Sequence, residues 1–214
     1  MSIVKLIDIN KRYGDKIIFE KFNLLVEKGE FVSVVGSSGA GKSTLLNIIG
    51  MLEKPDSGSI EIDGIKNPSF NSHKGTLLMR NTISYLFQNY GLIDNESVLY
   101  NLKTATKFLK LSASEEKQKI FDALNTVALS DLENKKVYQL SGGEQQRVAL
   151  AKLILKPSKI ILADEPTGSL DSKNRDDVLS ILKDLNKNGK TIIMVTHDSI
   201  AESYADRHIY INKN

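Results

Sequence analysis

The chain has 214 residues, enough for one α/β domain with at most a small insert and too few for two such domains. Hydrophobic residues make up 41% and charged residues 26%, so disordered and fibrous classes are excluded. The net charge of +3 comes from 29 basic and 26 acidic residues, a near balance that gives little support to a nucleic-acid-binding surface. There is no cysteine, which excludes disulfides, thiol catalysis and cysteine metal sites.

Short β-rich stretches open the sequence. The predicted early strands are Ile3–Ile9, Ile17–Phe19, Phe22–Val26 and Phe31–Val35. The last of these is continuously apolar, which predicts a strand buried on both faces. The most apolar stretches, such as Leu45–Leu52, fall far below the roughly 18 to 20 residues that cross a bilayer, so any membrane work is expected to be done through partners.

Three more apolar stretches appear late in the chain, separated by helical segments. They are Ile160–Ala163, Thr191–Val195 and Arg207–Ile211. This alternation predicts a parallel sheet wrapped in helices. One of the helices places Val178 and Leu182 on the same face, and Gly189 follows where a left-handed terminal residue is needed.

Strand character disappears from about Tyr90 to Tyr138, where helix signals take over. Ser112 and Glu115 have the spacing of a capping box, ahead of the apolar Ile120. The sequence therefore predicts a single domain over residues 1–214, with a core of residues 1–89 and 156–214 and a helical subdomain of about residues 90–155.

A glycine-rich stretch follows the strand Phe31–Val35 directly and precedes an apolar helix. Its residues are Gly36, Ser37, Ser38, Gly39, Ala40, Gly41, Lys42, Ser43 and Thr44, which satisfy the P-loop pattern in its strand, loop and helix context. Glycines let backbone N–H groups curl around phosphates, Lys42 reaches the β and γ oxygens, and the Ser43 hydroxyl ligates Mg²⁺. The pattern predicts a nucleotide-phosphate site; the alternative is a flexible loop that matches by chance.

A second anion-binding helix end is predicted directly after Leu140. Ser141 and Glu144 form a capping box there, and Gly142 and Gly143 leave the backbone amides bare. One ATP molecule does not need two such ends in a single chain. In a head-to-tail dimer, however, each end can face the γ-phosphate held by the P-loop of the other chain. A capped helix alone would explain the serine and the glutamate but not the glycine pair.

These residues carry a resemblance to a known family. Leu140–Glu144 matches the signature sequence of ABC ATPases letter for letter, and the surrounding motifs follow the order of that family across nearly the whole chain. Ile160–Ala163 run into Asp164 and Glu165, which resembles the Walker B motif of the family. The resemblance implies that Asp164 holds Mg²⁺ through water and that Glu165 polarises the attacking water. A buried Asp-Glu pair is costly unless a cation or hydrogen bonds compensate it.

Four further roles are implied by the resemblance alone. Tyr13 is similar to the aromatic residue that stacks on adenine, and Gln88 to the Q-loop glutamine that touches Mg²⁺ and the attacking water and senses the membrane subunit. Asp171 resembles the D-loop aspartate at the dimer interface, and His197 the switch histidine that bonds the γ-phosphate. The implied catalytic residues are thus Glu165, His197, Gln88 and Lys42, and the implied metal ligands are Ser43, Gln88 and Asp164.

Two stretches suggest a subfamily. Asp164–Asp171 is similar to the macrolide-efflux, lipoprotein-release and cell-division ATPases, and Tyr90–Ser97 resembles compact exporters of bacteriocins and antimicrobial peptides. One difference is Ile93-Asp94, where the subfamily often has Leu-Pro in a region that contacts the permease.

We therefore expect an α/β fold of the ABC type of P-loop NTPase: a mixed core sheet flanked by helices, with an N-terminal antiparallel β element and a helical insert. The resemblance implies an ATPase that binds ATP and Mg²⁺ and closes as a dimer with a second copy of itself. A transmembrane permease docking near the Q-loop would hold it at the cytoplasmic face of the membrane, for export of a peptide, bacteriocin, drug or lipid-like substrate.

Two alternatives come from other classes. A soluble ABC ATPase acting on nucleic acid or ribosomes resembles the same core, but such proteins usually carry two cores, a long coiled coil or zinc modules. No nucleic-acid partner is therefore expected. A P-loop kinase or GTPase would leave the signature at Ser141–Glu144 unexplained.

Overall fold

A computed structural model describes residues 1–69, 71–168 and 170–212, so Ser169 in the stretch Asp164–Asp171 lies outside the described residues. The strands are β1 Ser2–Tyr13, β2 Lys16–Glu27, β3 Phe31–Gly36, β4 Ser57–Ile62, β5 Ile65–Lys66, β6 Ile83–Leu86, β7 Ile160–Asp164, β8 Thr191–Val195 and β9 Arg207–Ile211. The helices are α1 Lys42–Ile49, α2 His73–Asn81, α3 Val98–Thr106, α4 Ala113–Thr126, α5 Gly142–Leu155, α6 Ser172–Lys187 and α7 Ser199–Glu202. Within these ranges, no helix has both the length and the apolar character needed to cross a membrane.

An antiparallel sheet begins the fold, with the strand order β2-β1-β4-β5. The division of its second strand into Ile17–Phe19 and Phe22–Val26 is wrong, because β2 runs unbroken through both segments. Lys21, between them, has a φ of 46° and donates its backbone N–H to the Asn10 side chain at 3.0 Å. The interrupted alternation of apolar residues therefore marks an irregularity within one strand and not a turn between two.

A five-stranded sheet forms the second layer, with the order β6-β7-β8-β3-β9 and parallel pairing throughout. The three late strands predicted from apolar stretches are confirmed, and β6 adds an edge strand. Ile161 and Ile193, on the central strands, are completely buried. A strand covered on both faces has no polar side, which is why its sequence is continuously apolar.

Helices cover both faces of the parallel sheet. Helix α1 lies with both sheets in one hydrophobic cluster, and α3, α4, α5 and α6 contribute to the other cluster. The predicted capping box of α4 is confirmed, since Ser112 donates its N–H to Glu115 Oε2 at 2.7 Å. Gly189 follows α6 with a φ of 88°, as its position predicted.

Asn101 fixes the segment that leads into α3. Its side chain is fully buried. Oδ1 accepts a hydrogen bond from the Ile93 N–H at 2.8 Å, while Nδ2 donates to the carbonyl oxygens of Ile93 and Ser97, both at 3.1 Å. One amide thus satisfies three backbone groups of a segment that has no regular structure of its own.

We expect Asn101→Ala to lower the free energy of unfolding by about 1–3 kcal/mol, because three hydrogen bonds are lost and a small cavity is left. Denaturant unfolding followed by circular dichroism measures the change. Asn95→Ala, at an exposed position of the same segment, is the matched control and should shift stability by less than about 0.5 kcal/mol. Equal stabilities for the two variants would contradict the role given to Asn101.

Candidate active site

The glycine-rich stretch forms a tight loop between β3 and α1. Gly41 caps α1 with a φ of 101°, in the left-handed region that favours glycine, and a Cβ there would lie 2.4 Å from Ile18 Cγ2. A Cβ on Gly36 would lie 2.3 Å from the Ile211 carbonyl oxygen. The loop therefore packs against β2 and β9 only because these two residues lack side chains. It ends at a helix N-terminus, where free N–H groups and the helix dipole favour anions.

Lys42 and Ser43 begin α1 and turn toward this loop and toward β7. Lys42 Nζ donates to the carbonyl oxygens of Gly36 at 2.7 Å and Ser37 at 3.1 Å. Ser43 Oγ donates to Asp164 Oδ1 at 3.2 Å. Burial raises the pKa of Asp164, and the hydrogen bond from Ser43 opposes this shift. A cation would therefore stabilise the charged form of this carboxylate.

The loop borders a cavity of 640 Å³ that collects most of the predicted site residues. On its wall are Tyr13, Gly36, Ser38, Gly39, Gly41, Lys42, Ser43, Thr44, Gln88, Glu165 and His197. Lys16, Ile18 and Val195 also line it and were missed by the sequence analysis. Lys16 Nζ donates to the Gly39 carbonyl at 3.2 Å. No sequence pattern connects β2 to the loop, so only the tertiary fold brings Lys16 and Ile18 to it, while Val195 arrives through the pairing of β8 with β3.

Glu165 directly follows β7 and combines a strained backbone with a mostly buried side chain. Its φ of 47° lies in the left-handed region, and its side chain is only 16% exposed. Oε2 is buried and has no hydrogen-bond partner within the described ranges, although His197 Nδ1 lies 2.8 Å away without hydrogen-bond geometry. Strained backbone and unsatisfied buried acceptors are concentrated at functional sites. The carboxylate is therefore placed to accept a proton or hold a water molecule at the cavity wall.

Tyr13 lies at the rim of the cavity and remains 47% exposed. Its hydroxyl donates to Glu53 Oε1 at 2.5 Å, and Lys11 Nζ lies 5.1 Å from the ring centroid. Burial and the hydrogen bond to Glu53 raise the pKa of Tyr13. The ring is thus anchored through its hydroxyl, which leaves aromatic surface accessible at the mouth of the cavity.

The signature residues and Asp171 lie outside this cavity wall. Ser141 caps α5, and the predicted capping box is confirmed by its N–H donating to Glu144 Oε2 at 2.8 Å. This backbone hydrogen bond lowers the pKa of Glu144. Asp171 caps α6 by accepting the Asn174 N–H at 2.9 Å. One chain therefore assembles the P-loop, Gln88, Glu165 and His197, but not the signature, around one cavity.

Side-chain hydrogen bonds that the sequence analysis missed connect α5 to the segment after β7. Gln146 Nε2 donates to the Pro166 carbonyl at 2.8 Å. Arg147 Nη1 donates to Asn174 Oδ1 at 2.7 Å, and Asn174 Nδ2 donates to Asp171 Oδ2 at 2.6 Å. The spacing of Asp171 and Asn174 is a visible capping signal. The contact between Arg147 and Asn174 joins distant parts of the chain and has no local signal.

The protein alone offers few ligands for a metal ion at this site, so a bound nucleotide would have to supply the others. The described part of the chain contains no group of three or more His, Cys, Asp or Glu that could hold a metal ion. Ser43 and Asp164 nevertheless offer a hydroxyl and a carboxylate oxygen, and Gln88 lines the same cavity. Mg²⁺ is typically held by one or two protein ligands together with phosphate and water. The donor set therefore fits Mg²⁺ that arrives with a nucleotide.

The fold and the loop, lysine and carboxylates around the cavity define a P-loop nucleotide-binding protein. Residues 19–168 match the family described as ABC transporter. This chain belongs to that family, as an ATP-binding domain.

Relatives and solved structures agree with this assignment. The uncharacterised ABC transporter ATP-binding protein MJ0796 of Methanocaldococcus jannaschii is 41% identical over 98% of this chain and 93% of its own length. The Macrolide export ATP-binding/permease protein MacB of Nitrosomonas europaea is 39% identical over 98% of this chain, which spans 32% of that protein. A structure described as the dimeric post-hydrolysis state of MJ0796 bound to ADP and Pi superposes with a TM-score of 0.89 at 38% identity, over 99% of this chain and 96% of that chain. The expected fold class and the resemblance to macrolide-efflux ATPases are confirmed.

We expect Lys42→Ala to weaken ATP binding by about tenfold or more, because a charge-assisted contact with phosphate contributes in the ground state as well as in the transition state. Titration calorimetry with ATP measures the affinity. Lys28→Ala, an exposed lysine of the turn between β2 and β3, is the control and should bind normally. Unchanged affinity in Lys42→Ala would contradict the predicted phosphate contact.

Proposed function

We propose that this ABC domain hydrolyses ATP to ADP and phosphate and couples the reaction to transport through a separate membrane permease. The observation that carries the proposal is the buried Oε2 of Glu165, which has no hydrogen bond among the described residues and lies 2.8 Å from His197 Nδ1, on the wall of the cavity that also holds the P-loop lysine. A phosphate site without such an acceptor would serve binding only, whereas a positioned carboxylate can act on water. The ADP and Pi bound to the similar MJ0796 dimer support the same reaction.

The proposed roles follow the chemistry of each side chain. Lys42 and the loop amides bind the phosphates, and Glu165 orients a water molecule and accepts its proton. His197, whose Nδ1 lies 2.8 Å from Glu165 Oε2, bonds the γ-phosphate. Ser43, Asp164 and Gln88 would hold Mg²⁺, which neutralises charge on the phosphate oxygens when bound. Tyr13 offers its ring to the adenine.

The variant Glu165→Gln should reduce kcat by about 100-fold or more while ATP still binds, because the acceptor is lost and the phosphate contacts remain. An ATP-bound dimer should then accumulate, which size-exclusion chromatography with Mg-ATP measures. Glu20→Gln, at an exposed position of β2, is the charge-matched control. A variant that hydrolyses ATP at the rate of the unmodified chain, or that stays monomeric with Mg-ATP, would refute the assignment.

We propose further that the active unit is a head-to-tail dimer. The signature at Ser141–Glu144 is an exposed, capped helix N-terminus away from the cavity wall of its own chain. Such an end favours anions, so a second copy gives it a phosphate to face. Two structures described as dimers of the similar MJ0796 support this arrangement. In this proposal, ATP closes the two copies together, with the P-loop core of one copy facing the helical subdomain of about residues 90–155 of the other.

Ser141→Arg should leave the ATP affinity of the monomer near that of the unmodified chain but abolish hydrolysis, because a bulky cation blocks closure over the opposite γ-phosphate. Calorimetry and phosphate release measure the two effects. Mixing Ser141→Arg with Lys42→Ala restores one whole composite site, so recovered activity would support the arrangement between chains. Normal hydrolysis by Ser141→Arg alone would refute it.

The permease and its cargo are the last part of the proposal. The MacB relatives are named as macrolide export ATP-binding/permease proteins, and this chain corresponds to about a third of the Nitrosomonas europaea protein, 32% of its length. By this similarity we infer a membrane permease partner that docks near Gln88, holds the chain at the cytoplasmic face of the membrane and exports a peptide, bacteriocin, drug or lipid-like substrate. Copurification with the permease encoded by a neighbouring gene tests this step.

A further inference from the structure

The end of β1, where Tyr13 lies, is fastened to the segment that joins α1 to β4. The Asp56 N–H donates to the Asn10 carbonyl at 2.9 Å, and the Arg12 N–H donates to Asp56 Oδ2 at 2.8 Å. These contacts join parts of the chain that are 44 positions apart. The backbone that carries Tyr13 is therefore held by residues that follow the P-loop helix.

Side chains of the same two segments form a cluster that we call the tyrosine clamp, made of Lys11, Tyr13 and Glu53. Glu53 Oε1 accepts a hydrogen bond from the Tyr13 hydroxyl at 2.5 Å and lies 2.9 Å from Lys11 Nζ. The Lys11 side chain is only 11% exposed. Burial opposes the charge of Glu53, but hydrogen bonds from Lys11 and Tyr13 outweigh it and lower the pKa of this carboxyl. The clamp is thus a charge-assisted contact.

Helix α1 connects the clamp to the P-loop. The Glu53 N–H donates to the Asn47 carbonyl of this helix at 3.2 Å, and the helix begins at Lys42. The Tyr13 hydroxyl also lies 3.5 Å from Thr44 Oγ1, in the first turn. One helix and one carboxylate therefore set the position of the ring relative to the phosphate loop.

Glu53 and Lys11 contact the ring but not the nucleotide cavity. In the part of the chain that the structure describes, neither side chain is on the cavity wall, whereas Tyr13 is. Lys11 Nζ lies over the ring, 5.1 Å from its centroid, so a cation covers one face and leaves the other for a planar ligand. Without the clamp, a ring that is 47% exposed would sample several rotamers, and ligand binding would have to order it.

We propose that Glu53, held by Lys11, is a positioning residue that fixes the Tyr13 ring in the orientation for stacking on a nucleobase. The inference rests on the proposed function, from which it takes the contact between Tyr13 and adenine. It adds that the ring is ordered before ATP binds, so the base contributes to affinity without the loss of side-chain entropy that a free ring would incur. Glu53 thus affects the contribution of the base and not that of the phosphates.

The test compares a ligand that has a base with one that has none. Glu53→Ala and Tyr13→Phe each break the clamp, and each should weaken Mg-ATP binding by about three- to tenfold, which corresponds to the cost of ordering one side chain. Binding of Mg-tripolyphosphate, which carries the phosphates alone, should be unchanged. Titration calorimetry measures both affinities. In steady-state hydrolysis, the KM for ATP should rise by the same factor while kcat stays constant.

Two further variants control for nonspecific effects. Glu53→Gln keeps an acceptor of the same length for the Tyr13 hydroxyl and should lose less ATP affinity than Glu53→Ala. Glu61→Ala breaks the pair between Lys5 and Glu61, 3.1 Å apart across β1 and β4, and is the matched control. It should bind both ligands as the unmodified chain does. Thermal unfolding checks that each variant is folded.

Combining Tyr13→Phe with Glu53→Ala tests whether both act through one hydrogen bond. The double variant should bind ATP about as weakly as either single variant, because the second change removes a contact that is already lost. Losses that multiply in the double variant would overturn the inference. So would an equal loss of ATP and tripolyphosphate affinity, or unchanged ATP affinity in both single variants.

The proposed function and this inference can fail separately. If Tyr13→Ala weakens ATP binding by about tenfold or more, as loss of stacking predicts, while Tyr13→Phe and Glu53→Ala bind normally, only the inference is wrong. If Tyr13→Ala binds ATP as tightly as the unmodified chain, the role proposed for Tyr13 and the inference are both wrong. If the unmodified chain binds ATP without hydrolysing it, the proposed reaction fails, and the binding comparison still decides the inference.

Discussion

Three neighbouring parallel strands, β7, β8 and β3, end at the same edge of the sheet, and each delivers a different reactive group there. Strand β3 leads into the P-loop, β7 ends in Asp164 and is followed by Glu165, and β8 leads to His197. Parallel pairing brings the carboxyl ends together at one edge, which is where ligands bind in open α/β sheets. The antiparallel sheet supports this edge from the side, through Ile18 packed against Gly41. The cavity depends on that alignment.

The carboxylates of Asp164 and Glu165, at this edge, are mostly buried, with few partners among the described residues that would stabilise their charge. Burial raises the pKa of Asp164. Glu165 has a left-handed backbone conformation, and its side-chain Oε2 is buried without a hydrogen bond. Each feature costs stability. A bound cation or water would compensate the buried carboxylate of Asp164 and the unsatisfied oxygen of Glu165, but not the strained backbone. The apolar strand behind them, with Ile161 and Leu162 completely buried, provides the stability that tolerates this cost.

Helix α5 connects the parts of the molecule that the proposed function requires to move together. Gln146 bonds to the backbone after β7, and Arg147 reaches Asp171 through Asn174. Lys152 and Lys156, at the other end of the helix, line a smaller cavity beside β6. A packed helix behaves as a rigid rod over such a distance, so displacement at one end is felt at the other. In the proposed function, α5 is therefore the physical route by which a bound partner affects the signature.

The sequence by itself determined the features whose chemistry is local. The P-loop, the capping boxes at Ser112 and Ser141, the apolar strand before Asp164 and the left-handed Gly189 are all encoded within a few neighbouring residues, so periodicity and motif spacing predicted them. The resemblance to ABC ATPases then supplied roles for Gln88 and His197, which no local pattern distinguishes from ordinary polar residues.

Only the tertiary structure decided the features that depend on contacts between distant segments. Four such features each need a partner far away in the chain. They are the unbroken course of β2, the edge strand β6, the position of Lys16 on the cavity wall and the hydrogen bond between Arg147 and Asn174. The separation of the signature from the cavity of its own chain, which the sequence only suggested, likewise follows from where elements pack. A sequence specifies which groups can pair locally, whereas burial and the absence of a partner are properties of the folded surface.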